Sequence, residues 1–189
     1  LFAVSFIGLL LTGSRSAWIS FAASVMILLF FKNRKLIPLV IALGVLCIPV
    51  LPDPIYRRIM SIFNPNDKSV STRGVIFETV RPMLKDYWTT GVGLGTEAFQ
   101  VIFKRYQNYG ATNYAHAHNL YLQLWLEAGA IAIISFIWTA FRVTKKCMIK
   151  IFGNISDEHA KNILIAGLSS IAGILVMGLA DHVWFFNRI

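Results

Sequence analysis

The chain has 189 residues, 56% of them hydrophobic and only 14% charged, with a formal net charge of +9. That is too apolar for an ordinary soluble domain, and the apolar residues form continuous runs rather than an alternating pattern, which excludes a β-barrel and leaves an α-helical membrane protein. Most of the positive charge flanks or links those runs, so membrane topology, membrane lipids and an anionic lipid-linked ligand account for it, and nucleic acid is not an expected partner.

The chain opens Leu1-Phe2-Ala3, already inside an apolar run, and closes Asn187-Arg188-Ile189. It reads as a piece of a longer protein. No basic flank precedes the first run, which is therefore not taken as a signal peptide. That run reaches Phe31, interrupted by Thr12-Gly13-Ser14-Arg15-Ser16. As one helix it would be about 46 Å long, against roughly 30 Å of hydrocarbon. Residues 1–11 are accordingly the end of one span, 12–16 a turn, and 17–31 the next span. Lys32-Asn33-Arg34-Lys35 is a compact basic loop. Residues 36–51 are a further span, with Pro38 near its start and Pro49 and Pro52 at its end. Membrane segments thus fill residues 1–52.

Residues 53–118 form a long polar connection, and 119–189 a second membrane block. Its spans are 120–141 and 163–180, joined by a linker, 142–161, that carries Arg142, Lys145, Lys146, Lys150 and Lys161. The positive-inside rule puts the loops 32–35 and 142–150 in the cytoplasm. The Arg15 turn, the loop 53–118 and the tail after residue 180 then lie outside. The expected fold is all-α: a polytopic helical membrane protein whose long extracytoplasmic loop contains amphipathic helices. Cys47 lies in an apolar run and Cys147 among basic residues, at different expected depths, so no disulfide framework is expected.

Within the long loop, Phe77, Val80, Leu84 and Trp88 recur at helical spacing over 72–88, and Pro82 is expected to kink or divide that helix. Gly91-Val92-Gly93-Leu94-Gly95 reads as a flexible turn, without the preceding strand or spacing of a nucleotide fingerprint. Thr96 is placed to cap a second helix, with Phe99, Ile102, Phe103 and Tyr106 on one face. Aromatic-rich amphipathic helices of this kind suit the outer leaflet surface.

The sharpest local feature is His116-Ala117-His118-Asn119 at the entry to the span 120–141. A helix N-terminus disfavours imidazolium, so a histidine there is suited to act as a neutral general base. The alternative is an interfacial histidine that caps or snorkels. His116-x-His118 suggests a metal, but no third or fourth ligand is evident nearby in sequence, and none is expected. Arg15, at a membrane boundary among Thr12, Ser14 and Ser16, is a candidate phosphate ligand, with snorkelling to headgroups as the alternative. Arg73 and Arg81 lie about 80° apart around a helix and are further candidates. Glu127 falls too deep for a direct dyad with His118 and is expected to pair with a polar group on another helix. Asp181-His182, at the end of the last span, is a candidate for orienting other site groups.

Three segments in this order resemble the O-antigen ligase/polymerase superfamily: Leu11-Thr12-Gly13-Ser14-Arg15-Ser16-Ala17-Trp18; Arg73 to Gly95; and His118-Asn119 followed by Gly129. The tail Gly178-Leu179-Ala180-Asp181-His182-Val183-Trp184 is similar to members from Gram-positive-type bacteria. The family pattern usually has another glycine where this chain has Ala132. The resemblance implies a metal-independent, inverting glycosyl transfer on the outer face of the bacterial cytoplasmic membrane. The donor would be a glycan on undecaprenyl diphosphate and the acceptor a glycan or lipid hydroxyl. It implies His118 as catalytic base and Arg15 and Arg73 as diphosphate ligands; the residues themselves add Arg81 as a further diphosphate candidate and Asn119, Glu127 and Asp181 as candidate supporting groups. No cofactor is implied. Ligase and polymerase are not distinguished. The competing class is a transporter or flippase for a lipid-linked or anionic solute, which would hold its ionisable groups near the bilayer midplane on broken helices.

Overall fold

The computed structural model describes residues 2–64, 68–107, 114–153 and 155–183. Trp184 and the closing Asn187-Arg188-Ile189 lie outside the described residues. All regular structure among the described residues is helical: α1 (Phe2–Leu11), α2 (Arg15–Asn33), α3 (Ile37–Cys47), α4 (Asp53–Met60), α5 (Lys68–Tyr87), α6 (Thr96–Tyr106), α7 (Leu120–Phe152) and α8 (Glu158–Gly178). The stretch Arg15–Val50, α7 and α8 are each long and apolar enough to cross a membrane. The protein is a helical membrane protein. Two compact units make it up: Leu1–Asp67 with Cys147–Met177, and Lys68–Lys146 with Gly178–Ile189.

In the first unit, Gly13 at φ +61° turns the chain between α1 and α2, a conformation that other residues rarely adopt. The hydroxyl of Thr12 donates to the Leu9 carbonyl at 2.7 Å, and the Ser14 hydroxyl accepts from the Ala17 N–H at 3.3 Å, capping α2. After α2, the Asn33 side chain accepts from the Lys35 N–H across a 3₁₀ turn. Pro38 then sits in the first turn of α3, where its missing N–H costs no helical bond. No residue of α3 is buried, and Leu39, Leu43 and Leu46 are 53%, 51% and 70% exposed. Such a surface suits contact with lipid or with another apolar surface. Elsewhere in this unit α2 meets α8 through the Ser20 hydroxyl, which donates to the Gly173 carbonyl at 2.6 Å. A Cβ at Gly173 would run into the Ser24 side chain, so a small residue is what permits the close approach. Lys32 donates to Asn162 near the other end of the same pair. Ile151, Ile165 and Leu168 form the unit's buried cluster, with Phe31, Cys147, Met148 and Leu164 packed around it.

The second unit has its core between α5, α6 and the start of α7. Ile76, Val80, Met83, Phe99, Phe103, Ala117 and Leu126 are its buried members. In α6 the buried face is the one the spacing predicts: Phe99 and Phe103 are fully buried, and Ile102 and Tyr106 pack beside them. In α5 the register differs. Phe77 and Trp88 are exposed, and Ile76, Val80 and Met83 face inward. Two overlapping apolar stripes exist in this helix, and packing against Phe99 and Phe103 selects the one offset by a residue. Pro82 does not divide α5, which continues to Tyr87. Thr96 is the first residue of α6 rather than its cap; Gly95, at φ +94°, holds the cap position.

α7 is interrupted at Gly129, whose φ of +76° and ψ of −175° are not helical. The break strands carbonyls that the helix would otherwise use, and an unpaired buried carbonyl is costly. The glycine turn supplies the partners: Val92 N–H donates to the Leu126 carbonyl at 2.6 Å and Gly93 N–H to the Glu127 carbonyl at 3.1 Å. The indole of Trp125 adds a 2.8 Å bond to the Trp88 carbonyl. Further along α7, the Arg142 guanidinium stacks 5.8 Å from the Trp138 ring, an aromatic and a cation at the end of an apolar stretch.

Candidate active site

His118 has φ +48°, the one non-glycine positive φ among the described residues. A left-handed conformation in a residue with a Cβ is a local strain held by its surroundings. The holders are visible. Ala117, between the two histidines, is buried in the core of the second unit. Its N–H donates to the Gln123 Oε1 at 2.7 Å, and the Gln123 Nε2 donates to the Glu127 Oε1 at 2.6 Å. Gln123 is 1% exposed, so this amide is a buried strut from α7 to the histidine loop. Asn119 caps α7 by accepting from the Leu122 N–H at 3.0 Å, and its Nδ2 donates to the Leu179 carbonyl at 2.9 Å. One side chain therefore fixes both the helix start and the segment that carries Asp181.

Asp181 receives the convergence of the site. Its Oδ1 lies 3.3 Å from His118 Nδ1 and 3.5 Å from His116 Nε2, and accepts from the His182 backbone N–H at 2.8 Å. The imidazole rings of His116 and His118 are 4.2 Å apart, and that of His182 is 5.7 Å from His116. Hydrogen bonds from His116 first, and then from His118, hold the Asp181 carboxyl well below the usual carboxylate range, against the opposing effect of partial burial. Burial pushes the His182 imidazole below its ordinary value. Asp181 is thus a fixed anion that orients two rings. With His118 Nδ1–H directed at it, the lone pair of that ring is on Nε2, the arrangement a general base requires.

The other candidates are distributed differently. Glu127 accepts from Gln123, one turn back on its own helix, and its charge also acts on the His182 imidazole. A neighbour at i−4 on α7 satisfied the carboxylate locally. Arg73 is half-buried in α5 and Arg81 is exposed. Among the described residues no hydrogen bond or ion pair joins either to the histidine cluster. Arg15, in the first unit, donates from Nη1 to both the Ser61 carbonyl and the Ser61 hydroxyl at 3.0 Å. The Arg58 Nε donates to the Gly13 carbonyl at 3.0 Å, so the Arg15 turn is braced from α4 and the 3₁₀ turn that follows it.

A family model described as O-Antigen ligase matches residues 1–137. The chain belongs to that family. No curated protein and no solved structure matches it. The family points to glycosyl transfer of the ligase or polymerase type at a membrane. The matched segment contains the Arg15 turn, α5, the glycine turn, His118 and Gly129. Asp181 lies beyond it, yet reaches His118 across 63 residues of sequence. In an O-antigen ligase family member the pairing of the glycine turn with Gly129 has a plain physical basis, since each supplies what the other's backbone lacks.

Gln123 is the site residue that the sequence reading lacks. Gln123 could have been found as an amide inside an otherwise apolar helical run. His116 was noticed only as half of a metal pair. The third donor near it, Asp181, is remote in sequence, and only the fold brings it close.

Proposed function

We propose that this protein transfers a glycan from undecaprenyl diphosphate to an acceptor hydroxyl on the outer face of the bacterial cytoplasmic membrane. The reading is carried by one observation: His118, in a left-handed backbone conformation, has its Nδ1 3.3 Å from the Asp181 carboxylate. His118 Nε2 takes the proton of the acceptor hydroxyl. The resulting oxygen attacks the anomeric carbon as the bond from that carbon to the diphosphate oxygen breaks, with inversion. The imidazolium formed is stabilised by Asp181, whose carboxylate stays ionised. The resemblance assigns Arg15 and Arg73 to the diphosphate, and Arg81 adds to the positive charge of α5. Guanidinium groups suit the leaving group because its charge develops on phosphate oxygens. Asn119 and Glu127 support the base indirectly, through the helix cap and the Gln123 strut.

The interruption of α7 at Gly129 favours a second reading, transport of a lipid-linked or anionic solute, because broken helices mark many transporter sites. Its exposed carbonyls are bonded to the chain's own Val92 and Gly93, which is a structural use of the break.

A single variant tests the transferase reading. With His118→Ala the protein should insert and accumulate while glycan product falls by about 10²–10⁴-fold. Asp181→Asn should also lower product, because it removes the anion that orients the His118 ring and stabilises its imidazolium. Normal glycan output from His118→Ala, or labelled lipid-linked substrate moved across a liposome membrane without any new glycosidic bond, removes the proposed base.

A further inference from the structure

We propose that His116, His118 and Asp181 form a binding site for a divalent transition-metal ion of the zinc class, and that filling it switches off the His118 imidazole. The two imidazole nitrogens and the carboxylate offer ligand atoms that all lie within 4.8 Å of one another. Carboxylate-to-nitrogen separations are 3.3 and 3.5 Å. In a tetrahedral site with bonds of about 2.0–2.2 Å, neighbouring ligand atoms are roughly 3.4 Å apart. The two edges that share Asp181 already have that length, and the third, within 4.8 Å, is the one that binding would shorten.

The donor set selects the class of ion. Two imidazoles and one carboxylate suit zinc, cobalt or nickel, whereas magnesium and calcium favour oxygen throughout. Three protein ligands leave a fourth position for water. Exposure agrees with this: the side chain of His116 is 12% exposed, while those of His118 and Asp181 are 30% and 32%. The donors are also fixed in advance. The Gln123 strut holds the backbone between the histidines, and the His182 N–H holds Asp181, so little ordering is left for the ion to impose.

The switch follows from where hydrogen sits on the ring. A neutral imidazole carries one hydrogen. When it lies on Nδ1, facing Asp181, the Nε2 lone pair is available. An ion on Nδ1 uses the lone pair there, and the ring's hydrogen is then on Nε2. The same ring cannot bind the ion through Nδ1 and accept a proton at Nε2. Metal binding itself does not depend on the transferase reading; loss of activity on binding rests on it.

The intact membrane protein, purified in detergent and stripped with EDTA, is titrated with Co²⁺ by visible absorption and with Zn²⁺ by calorimetry. One ion per chain and a tetrahedral Co²⁺ spectrum are expected. His116→Gln and Asp181→Asn should each weaken uptake by at least about tenfold, and Glu97→Gln, an exposed carboxylate in α6, should not. Absence of saturable Co²⁺ uptake by the unmodified protein overturns the site, and no variant needs to fold for that outcome. Uptake unchanged in both ligand variants overturns it equally. Saturating Zn²⁺ should also suppress glycan transfer, with recovery on adding EDTA. Uptake with transfer unaffected keeps the site, overturns the switch and removes Nε2 of His118 as the base.

Discussion

At the scale of single residues, the glycines at 91 and 129 do more to shape the site than their composition suggests. Gly129 has a positive φ, and a Cβ there would collide with the Thr89 carbonyl, a backbone atom that cannot swing away. A Cβ at Gly91 would fall 2.6 Å from the Glu127 carbonyl carbon. Gly129→Ala should therefore destabilise the protein by more than about 1 kcal/mol. Gly167→Ala, in α8 with nothing near the added atom, should be neutral or slightly stabilising. Thermal unfolding in detergent separates the two, and equal midpoints would show that the α7 break relaxes freely. Sequence alone displayed the glycines of the turn and Gly129 as separate signals. Their contact was not legible, because it joins backbone groups 34 or more positions apart, as in the Val92 N–H bond to the Leu126 carbonyl. For the same reason Asp181 was visible as an ionisable residue at a span end, but its proximity to His116 and His118 was not.

Among the elements, α6 was legible and α5 only in part. The stripe of Phe99, Ile102, Phe103 and Tyr106 is the single apolar face of a short helix, so no competing register exists. In α5 two stripes compete, and tertiary packing chose Ile76, Val80 and Met83. The α5–α6 pair is also tied by a polar contact: the Tyr106 hydroxyl donates to Asp86 Oδ2 at 2.6 Å. That carboxylate, ahead of desolvation, pushes the Tyr106 phenol up to about 12. The protonated phenol is the form the folded state favours. Its contribution to stability is complete below the ordinary tyrosine range near 10. It declines as pH rises above that range and is gone once the folded-state value is passed. Absorbance at 295 nm, taken as the difference between the unmodified protein and Tyr106→Phe, should show a titration centred near the raised value. Asp86→Asn should bring it down toward the ordinary one. A midpoint already near the ordinary value in the unmodified protein would mean that the contact is absent in solution.

For the molecule as a whole, helical character and membrane residence were legible because they depend on composition and run length, quantities a sequence states directly. Sidedness depends on the few basic residues between the runs. Lys32, Arg34 and Lys35 form one short cluster, and Arg142, Lys145, Lys146 and Lys150 the other, and the positive-inside rule assigns both to the cytoplasm. On the proposed function the histidine cluster opens outside, toward a lipid-linked glycan donor. Chemical labelling decides this. In a background lacking Cys47 and Cys147, single cysteines are placed at Glu97, exposed in α6, and at Ser156, exposed between α7 and α8. An impermeant maleimide should label Glu97→Cys in intact cells and reach Ser156→Cys only after permeabilisation. The reverse pattern would turn the protein over in the membrane. His118 would then face a compartment in which an external transfer reaction has no acceptor, whatever its distance from Asp181.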